Sequence, residues 1–559
     1  MELTDEQKLI LENSDGNIYI SASPGSGKST MLSHITSRLL DLSSSNYVML
    51  VTFTNKASKS IIDKCANVDQ QRIMGGTFHG ITYKLLKRNG FERYICDESK
   101  KRLIIKKIFG CRADKDKFEK LYECISRLKS RYPLPSDHEV LNRYQAELDK
   151  YKLIDFDDII INGIESLPQV TYGVPSITHI LVDELQDTSG PQLELLKGLH
   201  KKTGATMIGV ADDDQSIYAW RGARPENVRD FIDTFSCTVY NMGYNFRSGR
   251  RIVDKSRLLI EHNSDRIPKK IRAFKDHEGV VSEYKCMNPW EEIDYAIMRC
   301  KQFKDTEIAI LYRNRTFKNH LEFELRKANL DYTVNDFLEI TDRSAIKVML
   351  STLKICAKEF DLYDLQNAAK AIKGFGIGTV TKLEKDASEG LPITRVFHFH
   401  SENKKQKARL KSLLELQKYF KEHEHESLEN MVREVEKYFT KSFDYAEEMR
   451  EFLIDISRDY KINAVAIKRL NNELGLNGKE EHNTEGAKIE LSTVHGYKGC
   501  EKEIVVLPWC QQYTEVKSEQ TFNEEAERRL FYVAATRAKD KLYMSYTGPK
   551  PKFIKEMKA

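Results

Sequence analysis

The stretch NIYISASPGSGKST, residues 17–30, constrains this chain more than any other. An apolar, strand-like run gives way to a glycine-bearing loop. STMLSHITSRLL then follows, with apolar residues at helical spacing. Strand, glycine loop and helix in that order form a phosphate-binding turn. Glycines let successive backbone N–H groups curl around anionic oxygens at a helix N-terminus. The pattern G-x-x-x-x-G-K-[ST] asks for glycine where this chain has Ala22, while Gly25, Gly27, Lys28 and Ser29 are in place. Lys28 is expected to reach the β- and γ-phosphates of a nucleotide, and the Ser29 hydroxyl to ligate Mg²⁺. Ser23, Pro24, Ser26 and Thr30 complete the expected lining.

Hydrolysis at such a loop needs carboxylates from elsewhere. HILVDELQD supplies them at a strand end, with Asp183 for the metal and Glu184 to orient and deprotonate the attacking water. A solvated turn is the bland reading of those acids; the pairing with a phosphate loop favours hydrolysis. A further apolar run, TMIGV, leads into ADDDQSIYAWRGA. Here Gln215 is placed to sense the γ-phosphate, and Tyr218 and Trp220 follow on an expected exposed loop. Positive charge for the transition state has two distant candidates, Arg247 in YNFRSG and Arg537 in ERRLFYVAATRAKD. Each alone reads as a surface or salt-bridge residue; together they suggest a second domain closing over the nucleotide.

Short apolar strands alternate with helical patterns in two regions. The first holds NIYISA, YVMLVTF, HILVDE and MIGVAD; the second holds VVSEYKC, EIAILYR, KIELSTV, EIVVLP and KLYMSY. Alternation of this kind predicts α/β layers with parallel sheets. Long helical patterns near 85–170 and 340–485 read as insertions, and SENKKQKARLK at 401–411 reads as the most loop-like interior stretch. At 559 residues, about three to five domains or subdomains are expected. No apolar run is long enough to span a membrane, and the acidic start, MELTDEQKLIL, does not resemble a signal peptide. Ten cysteines without a Cys-x-x-Cys pair argue against a zinc ribbon or iron–sulfur cluster and fit reduced thiols in the cytosol. Net charge is only +5, but residues 84–131 hold 16 Lys and Arg against 7 Asp and Glu, a local net of +9. That segment is a candidate for phosphate-backbone contact, with a solvated helical face as the alternative.

Taken together these stretches resemble a superfamily 1 DNA helicase of the UvrD/Rep/PcrA type. LTDEQKLIL resembles the Q motif, SASPGSGKST motif I, VTFTNKASKSI motif Ia and GGTFHG motif Ib. LIDFDDII resembles the segment before motif II, LVDELQDTS motif II and GVADDDQSIYAWRGA motif III. YNFRS resembles motif IV, LSTVHGYKGCEKEIVVLP motif V and ERRLFYVAATRAKDKL motif VI. Two departures are Ala22 in the phosphate loop and Phe246 where the family often has tyrosine.

The resemblance implies two RecA-like P-loop domains, each carrying a mainly helical insertion, with ATP and Mg²⁺ as cofactors. It divides the chain into 1–85 with 172–244 (1A), 86–171 (1B), 245–342 with 486–559 (2A) and 343–485 (2B). It assigns Gln7 to adenine, Phe246 to stacking on it, and Glu501 to the ribose or an arginine. It assigns Phe53, Tyr218 and Trp220 to single-stranded DNA, with Thr52, Thr77, His79 and Arg221 as further strand contacts. His495 and Lys498 would couple DNA to ATP. Motif III would join the two sites, its Asp214 and Gln215 facing ATP and Mg²⁺ and its aromatics facing the bases. The implied polarity is 3′→5′. Implied partners are single-stranded DNA, ss/ds junctions and a nuclease or repair protein, in a cytoplasmic, nucleoid-associated setting. Larger members carry a C-terminal extension, and contacts made by it are not expected here. A different class of reading is a DNA-stimulated ATPase serving as a sensor or regulatory subunit beside a nuclease, as in phage defence, with little unwinding. A phosphate-loop ATPase unrelated to nucleic acid leaves Tyr218 and Trp220 unexplained.

Three smaller motifs carry competing readings. Gly374, Gly376 and Gly378 resemble a duplex-contacting turn of the 2B domain, or a plain helix–helix turn. HFH at 398–400 reads as a surface histidine pair rather than a metal site. DHEGVVSEYK, residues 276–285, mimics a nuclease Asp…Glu-x-Lys, with Glu283 and Lys285 alternating on an expected strand.

Overall fold

The computed structural model describes residues 3–65, 67–110, 115–170, 176–219, 222, 226–335, 344–387, 391–440, 443, 447–474, 486–514 and 523–558. The chain divides into two compact units. The first comprises residues 1–281, 513–541 and 552–559, the second 282–512 and 542–551.

The first unit is built on six strands: β1 (Ile18–Ala22), β2 (Val48–Thr52), β3 (Ile73–Thr77), β4 (His179–Val182), β5 (Thr206–Ala211) and β6 (Thr238–Met242). They lie in the order β3-β2-β4-β5-β1-β6, every neighbouring pair parallel. β1, β2 and β4 are buried at every position. A strand covered on both faces reads as a continuous apolar run, which makes these legible in the sequence. Side chains still alternate across β1. Ile18, Ile20 and Ala22 join Met31, Ile35 and Leu39 of the helix after the phosphate loop, whereas Tyr19 packs on the opposite face with Met49, Ile180 and Phe231. Strands β4, β5 and β1 are consecutive in the sheet. Their carboxyl ends therefore deliver Asp183, Asp212 and the phosphate loop to one edge, where parallel sheets place ligands.

The second sheet contains β7 (Val280–Cys286), β8 (Ile308–Tyr312), β9 (Tyr332–Val334), β10 (Ile489–Thr493), β11 (Lys502–Leu507) and β12 (Ala538–Thr547), in the order β7-β12-β11-β8-β10-β9. β8 pairs in parallel with β10 and β11, and β9 with β10. The fold is thus α/β with two six-stranded sheets and many helices, the arrangement of two RecA-like domains.

Both insertions are mainly helical. In the first, Glu98–Phe109, Lys115–Lys129 and Glu139–Lys150 surround Ile105, Phe118, Ile125, Tyr144 and Leu148. Lys129 is fully buried there, paired with Asp155 at 2.9 Å and Asp158 at 2.8 Å. The second runs from Ser344–Cys356 to Ala464–Glu473 around its own apolar core. No helix among the described residues is long and apolar enough to cross a membrane.

One expectation is overturned. Residues 401–411 are not loop: Ile393–Glu402, Lys404–Lys407 and Lys411–Glu422 are helical, joined by a short 3₁₀ turn at Ala408–Leu410. Lys, Gln, Ala and Arg all favour helix, and Leu410 is buried and anchors the segment. Three strands carry too weak a pattern to be read from the sequence, β3, β6 and β9. β3 carries two glycines and β6 is largely exposed, both at sheet edges; β9 has only three residues.

Candidate nucleotide and nucleic-acid site

The phosphate loop turns on two left-handed glycines, Gly25 at φ +67° and Gly27 at φ +85°. Gly27 caps the helix Lys28–Leu42, so the helix opens at the lysine. A Cβ on Gly25 would lie 2.6 Å from Arg247 Cβ and 3.0 Å from Asn245 Oδ1. Only glycine admits that approach. The Phe246 N–H donates to the Gly25 carbonyl at 2.9 Å, tying the YNFRS segment to the loop. Ser26 is buried, and its hydroxyl has no hydrogen-bond partner among the described residues. An orphaned hydroxyl inside an amide-rich turn fits an incoming phosphate oxygen. Ser29 and Asp183 offer the hard oxygen donors that suit Mg²⁺.

Lys28 makes a 3.0 Å ion pair with Glu184. Burial pulls its pKa down, but the carboxylates of Glu184, Asp212 and Asp183 outweigh that and raise it. Asp183 is pushed up to about 7, by burial first and then by the Glu184 charge. Glu184 itself stands at φ +51°, a left-handed conformation unusual for a residue with a side chain. Its carboxylate accepts a short hydrogen bond from Gln186, whose carbonyl oxygen accepts the Asp212 N–H at 3.1 Å. Asp212 accepts from the Gln215 amide at 2.6 Å, and Gln215 accepts from Arg537 at 2.8 Å. A relay of side chains and the Asp212 backbone N–H thus runs from Lys28 to Arg537 within one unit. Arg247 donates to the Thr536 carbonyl at 3.0 Å, bringing the second expected arginine to the same helix end. Asn245 holds that segment by accepting from the N–H groups of Arg247 and Ser248, both at 2.8 Å.

The acid run is arranged differently from expectation. Asp214 is fully buried and held bidentately by Arg266 at 2.9 and 2.7 Å. Burial raises its pKa, but Lys269 and Arg266 outweigh this and lower it. Asp214 is therefore the structural acid of the run, and Asp212 is the one linked to Gln215. Tyr218 is only 8 % exposed, so the expected exposed aromatic is covered. Its cover is Phe53, stacked at 5.1 Å between ring centres and itself 39 % exposed. Trp220 and Arg221 lie outside the described residues.

On the base side, the Gln7 amide donates to the Ser26 carbonyl at 3.3 Å while its oxygen caps Thr4 N–H at 3.0 Å. Phe246 packs on Phe274 at 4.5 Å, with Tyr244 nearby and Arg272 over the Tyr244 ring at 3.9 Å. Arg272 also pairs with Glu6 at 2.6 Å, joining this aromatic group to the first helix. Thr52 is buried and bonds the Thr54 carbonyl; Thr77 caps the helix Phe78–Arg88; His79 meets Phe156 edge-on. Thr30 is exposed. His495, Lys498 and Glu501 belong to the second unit, on the turn after β10.

Sequence reasoning misses Gln186, Asn245, Arg266, Lys269 and Phe274. No pattern marks them. Gln186 and Asn245 sit inside quoted motifs, and a buried polar side chain beside a motif acid is the only signal they give. Two of the minor motifs make ordinary contacts: His400, buried rather than at the surface, bonds Asp386 at 2.7 Å, and Glu283 pairs with Lys550 at 2.6 Å.

Two parallel sheets, a phosphate loop and a buried relay to a distant arginine define the class, a P-loop nucleotide hydrolase. Residues 3–236 match the UvrD/REP helicase N-terminal domain, and residues 240–548 the UvrD-like helicase C-terminal domain. The chain belongs to the UvrD/Rep family of ATP-dependent DNA helicases. Among its relatives are the ATP-dependent DNA helicase PcrA of Staphylococcus epidermidis, 29% identical over 608 residues, and that of Staphylococcus aureus, 29% identical over 609 residues. Each alignment covers 97% of this chain and 83% of the relative.

Proposed function

We propose that the protein is an ATP-driven motor on single-stranded DNA that moves 3′→5′ and opens ss/ds junctions. One observation carries the reading: the relay Lys28–Glu184–Gln186–Asp212–Gln215–Arg537 passes through the loop that also bears Tyr218. Fuel pocket and strand-gripping ring share one covalent segment.

Lys28 is assigned to the phosphates. Its partner is now Glu184, so a lysine that turns to phosphate frees the carboxylate to orient water and accept its proton. Mg²⁺ would supply Lewis-acid charge at the phosphate oxygens, and Ser29 and Asp183 are the residues that would hold it. Arg537 and Arg247 are assigned to the charge that grows on the transferred phosphoryl group, and Gln215 to reporting it. Gln7 and Phe246 take the base, the loop from Ala22 to Thr30 the phosphates, and Glu501 the ribose or an arginine. Phe53, Tyr218 and Trp220 stack bases without reading sequence, as a motor crossing every sequence requires. Thr52, Thr77, His79 and Arg221 contact the strand; His495 and Lys498 couple it to ATP. The four-part 1A, 1B, 2A and 2B division, the nuclease or repair partner and the cytoplasmic setting belong to the same proposal.

The test is steady-state ATPase with single-stranded DNA and RNA, comparing wild type with Lys28→Ala and Trp220→Ala. Lys28→Ala is expected to abolish turnover, and Trp220→Ala to lose polynucleotide stimulation. Duplexes with 3′ or 5′ tails then read polarity. Unwinding only from a 5′ tail defeats the polarity, and DNA-stimulated ATPase with intact duplexes replaces the helicase by a sensor.

A further inference from the structure

We propose that Lys269 is a positioning residue for ATP turnover: an internal cation that locks Asp212 and through it fixes the Gln215 amide against Arg537. The inference rests on the assignment of Gln215 and Arg537 to that reaction.

Asp212, Asp213 and Asp214 are all buried, with carboxylate oxygens within 4.8 Å of one another. Three acids so placed look like a metal cradle, but the ammonium of Lys269 fills it. That nitrogen, its side chain fully buried, lies 2.5 Å from Asp212, 2.7 Å from Asp213 and 3.2 Å from Asp214. An ammonium has three N–H donors and no acceptor, so its capacity is spent on the three acids. Tyr19 and Tyr532, both buried, stand within electrostatic reach of this group.

The acids do not depend on Lys269 equally. Asp214 also has both guanidinium bonds from Arg266, and Asp213 also accepts the Ile267 N–H at 2.6 Å. Asp212 has Lys269 on one oxygen and the Gln215 amide nitrogen on the other. A glutamine amide has a donor end and an acceptor end. With Asp212 taking the donor end, the carbonyl end faces Arg537, which can only donate. Without Lys269 the Asp212 carboxylate loses its ion pair and is free to turn. A rotated Gln215 amide would then set N–H against guanidinium. Lys269 thus sets the direction of the last link in the relay while, among the described residues, its own hydrogen bonds go to the acids.

The experiment is a double-mutant cycle in the full chain, read as ATPase at saturating single-stranded DNA. Lys269→Met and Gln215→Ala are each expected to lower kcat roughly 10- to 100-fold, the scale of a misplaced group. For Lys269→Met the KM for ATP should stay within about threefold. Lys269→Met added to Gln215→Ala should cost nothing further. The charge-balanced pair Lys269→Met with Asp213→Asn should recover thermal stability but not kcat, and it replaces the single variant in the cycle if that one does not fold. The proposal is overturned if either Lys269 variant keeps kcat within about twofold of wild type, or if the losses multiply in the Gln215→Ala background. Wild-type kcat in Gln215→Ala alone would instead remove the relay from ATP turnover, and the proposal with it.

Discussion

Replacing Gly25 by alanine should disable turnover while leaving the fold standing. The new Cβ would sit 2.6 Å from Arg247 Cβ, against roughly 3.5–4.0 Å for an ordinary carbon contact. The obstacle is the root of a side chain with backbone beside it, since Arg247 N is only 3.3 Å away, so neither partner can swing aside. Loop and YNFRS segment must part by roughly 1 Å. Holding alanine at a left-handed φ costs about 1–2 kcal/mol, and the overpacking about 1–3 kcal/mol, so roughly 2–5 kcal/mol of strain enters the site. Parting relieves much of it but breaks the bond from Phe246 N–H to the Gly25 carbonyl and shifts Arg247 from its place. We expect Tm to fall by less than about 5 °C. Turnover should fall roughly 100-fold, the effect of an ångström of misplacement. Differential scanning fluorimetry and DNA-stimulated ATPase read the two. Gly27→Ala, where among the described residues the Gln7 amide lies at 3.6 Å, isolates the backbone term, and Gly16→Ala, with nothing among the described residues within 4 Å, is the neutral control. Wild-type kcat in Gly25→Ala would show that the loop and the arginine segment need not touch during the reaction, and the reasoning would fail.

Phe53→Ala removes the exposed half of the Phe53–Tyr218 stack, and should raise the DNA concentration for half-maximal ATPase stimulation by about 5- to 150-fold, the worth of one base stack. Lys129→Met leaves Asp158 buried without its ammonium and Asp155 with only the longer 3.8 Å pair to Lys101 among the described residues, and should destabilise the first insertion by about 3–5 kcal/mol, measured by urea unfolding. His320 is packed against Trp290 at 4.3 Å and Phe452 at 4.8 Å, and burial pushes its pKa down to about 3. Because the folded value lies below the unfolded one near 6.5, its contribution is complete above about pH 6.5 and is lost as acid protonates the unfolded chain alone, roughly 2 kcal/mol by pH 5. His320→Phe should flatten that slope in unfolding curves at pH 7.5 and pH 5.

The strands that flank the site are legible because burial on both faces turns them into unbroken apolar runs, and because a phosphate loop cannot be written without its glycines. Edge strands β3 and β6 are not, since an edge tolerates Gly, Asn and Thr and so loses the pattern. The site divides in the same way. Lys28, Asp183, Glu184 and Gln215 stand at fixed offsets from strand ends, and spacing marks them as candidates, whereas Arg537 alone reads as a surface or salt-bridge residue. Lys269 and Arg266 stand in SDRIPKKI, which reads as an ordinary basic stretch. Their meaning is a long-range pairing with an acid run more than fifty residues earlier, which no local window contains. Tyr218 is assigned to an exposed loop from the sequence, and Asp214 toward ATP by resemblance, for the converse reason: the partners that bury them, Phe53 and Arg266, lie far away in the chain.

The first unit takes its last pieces from far along the chain, and this matters during synthesis. The phosphate loop is made within the first thirty residues of this sequence, but its arginine is residue 537. At roughly 5–20 residues per second the interval is about 25–100 s. For the second half of it the helix Arg250–Ile260 waits without Glu524–Ala535, which later packs on it. On the role proposed for Arg537, a nascent chain holds an incomplete catalytic set, and the burning of fuel begins only once the ribosome has passed that distant arginine.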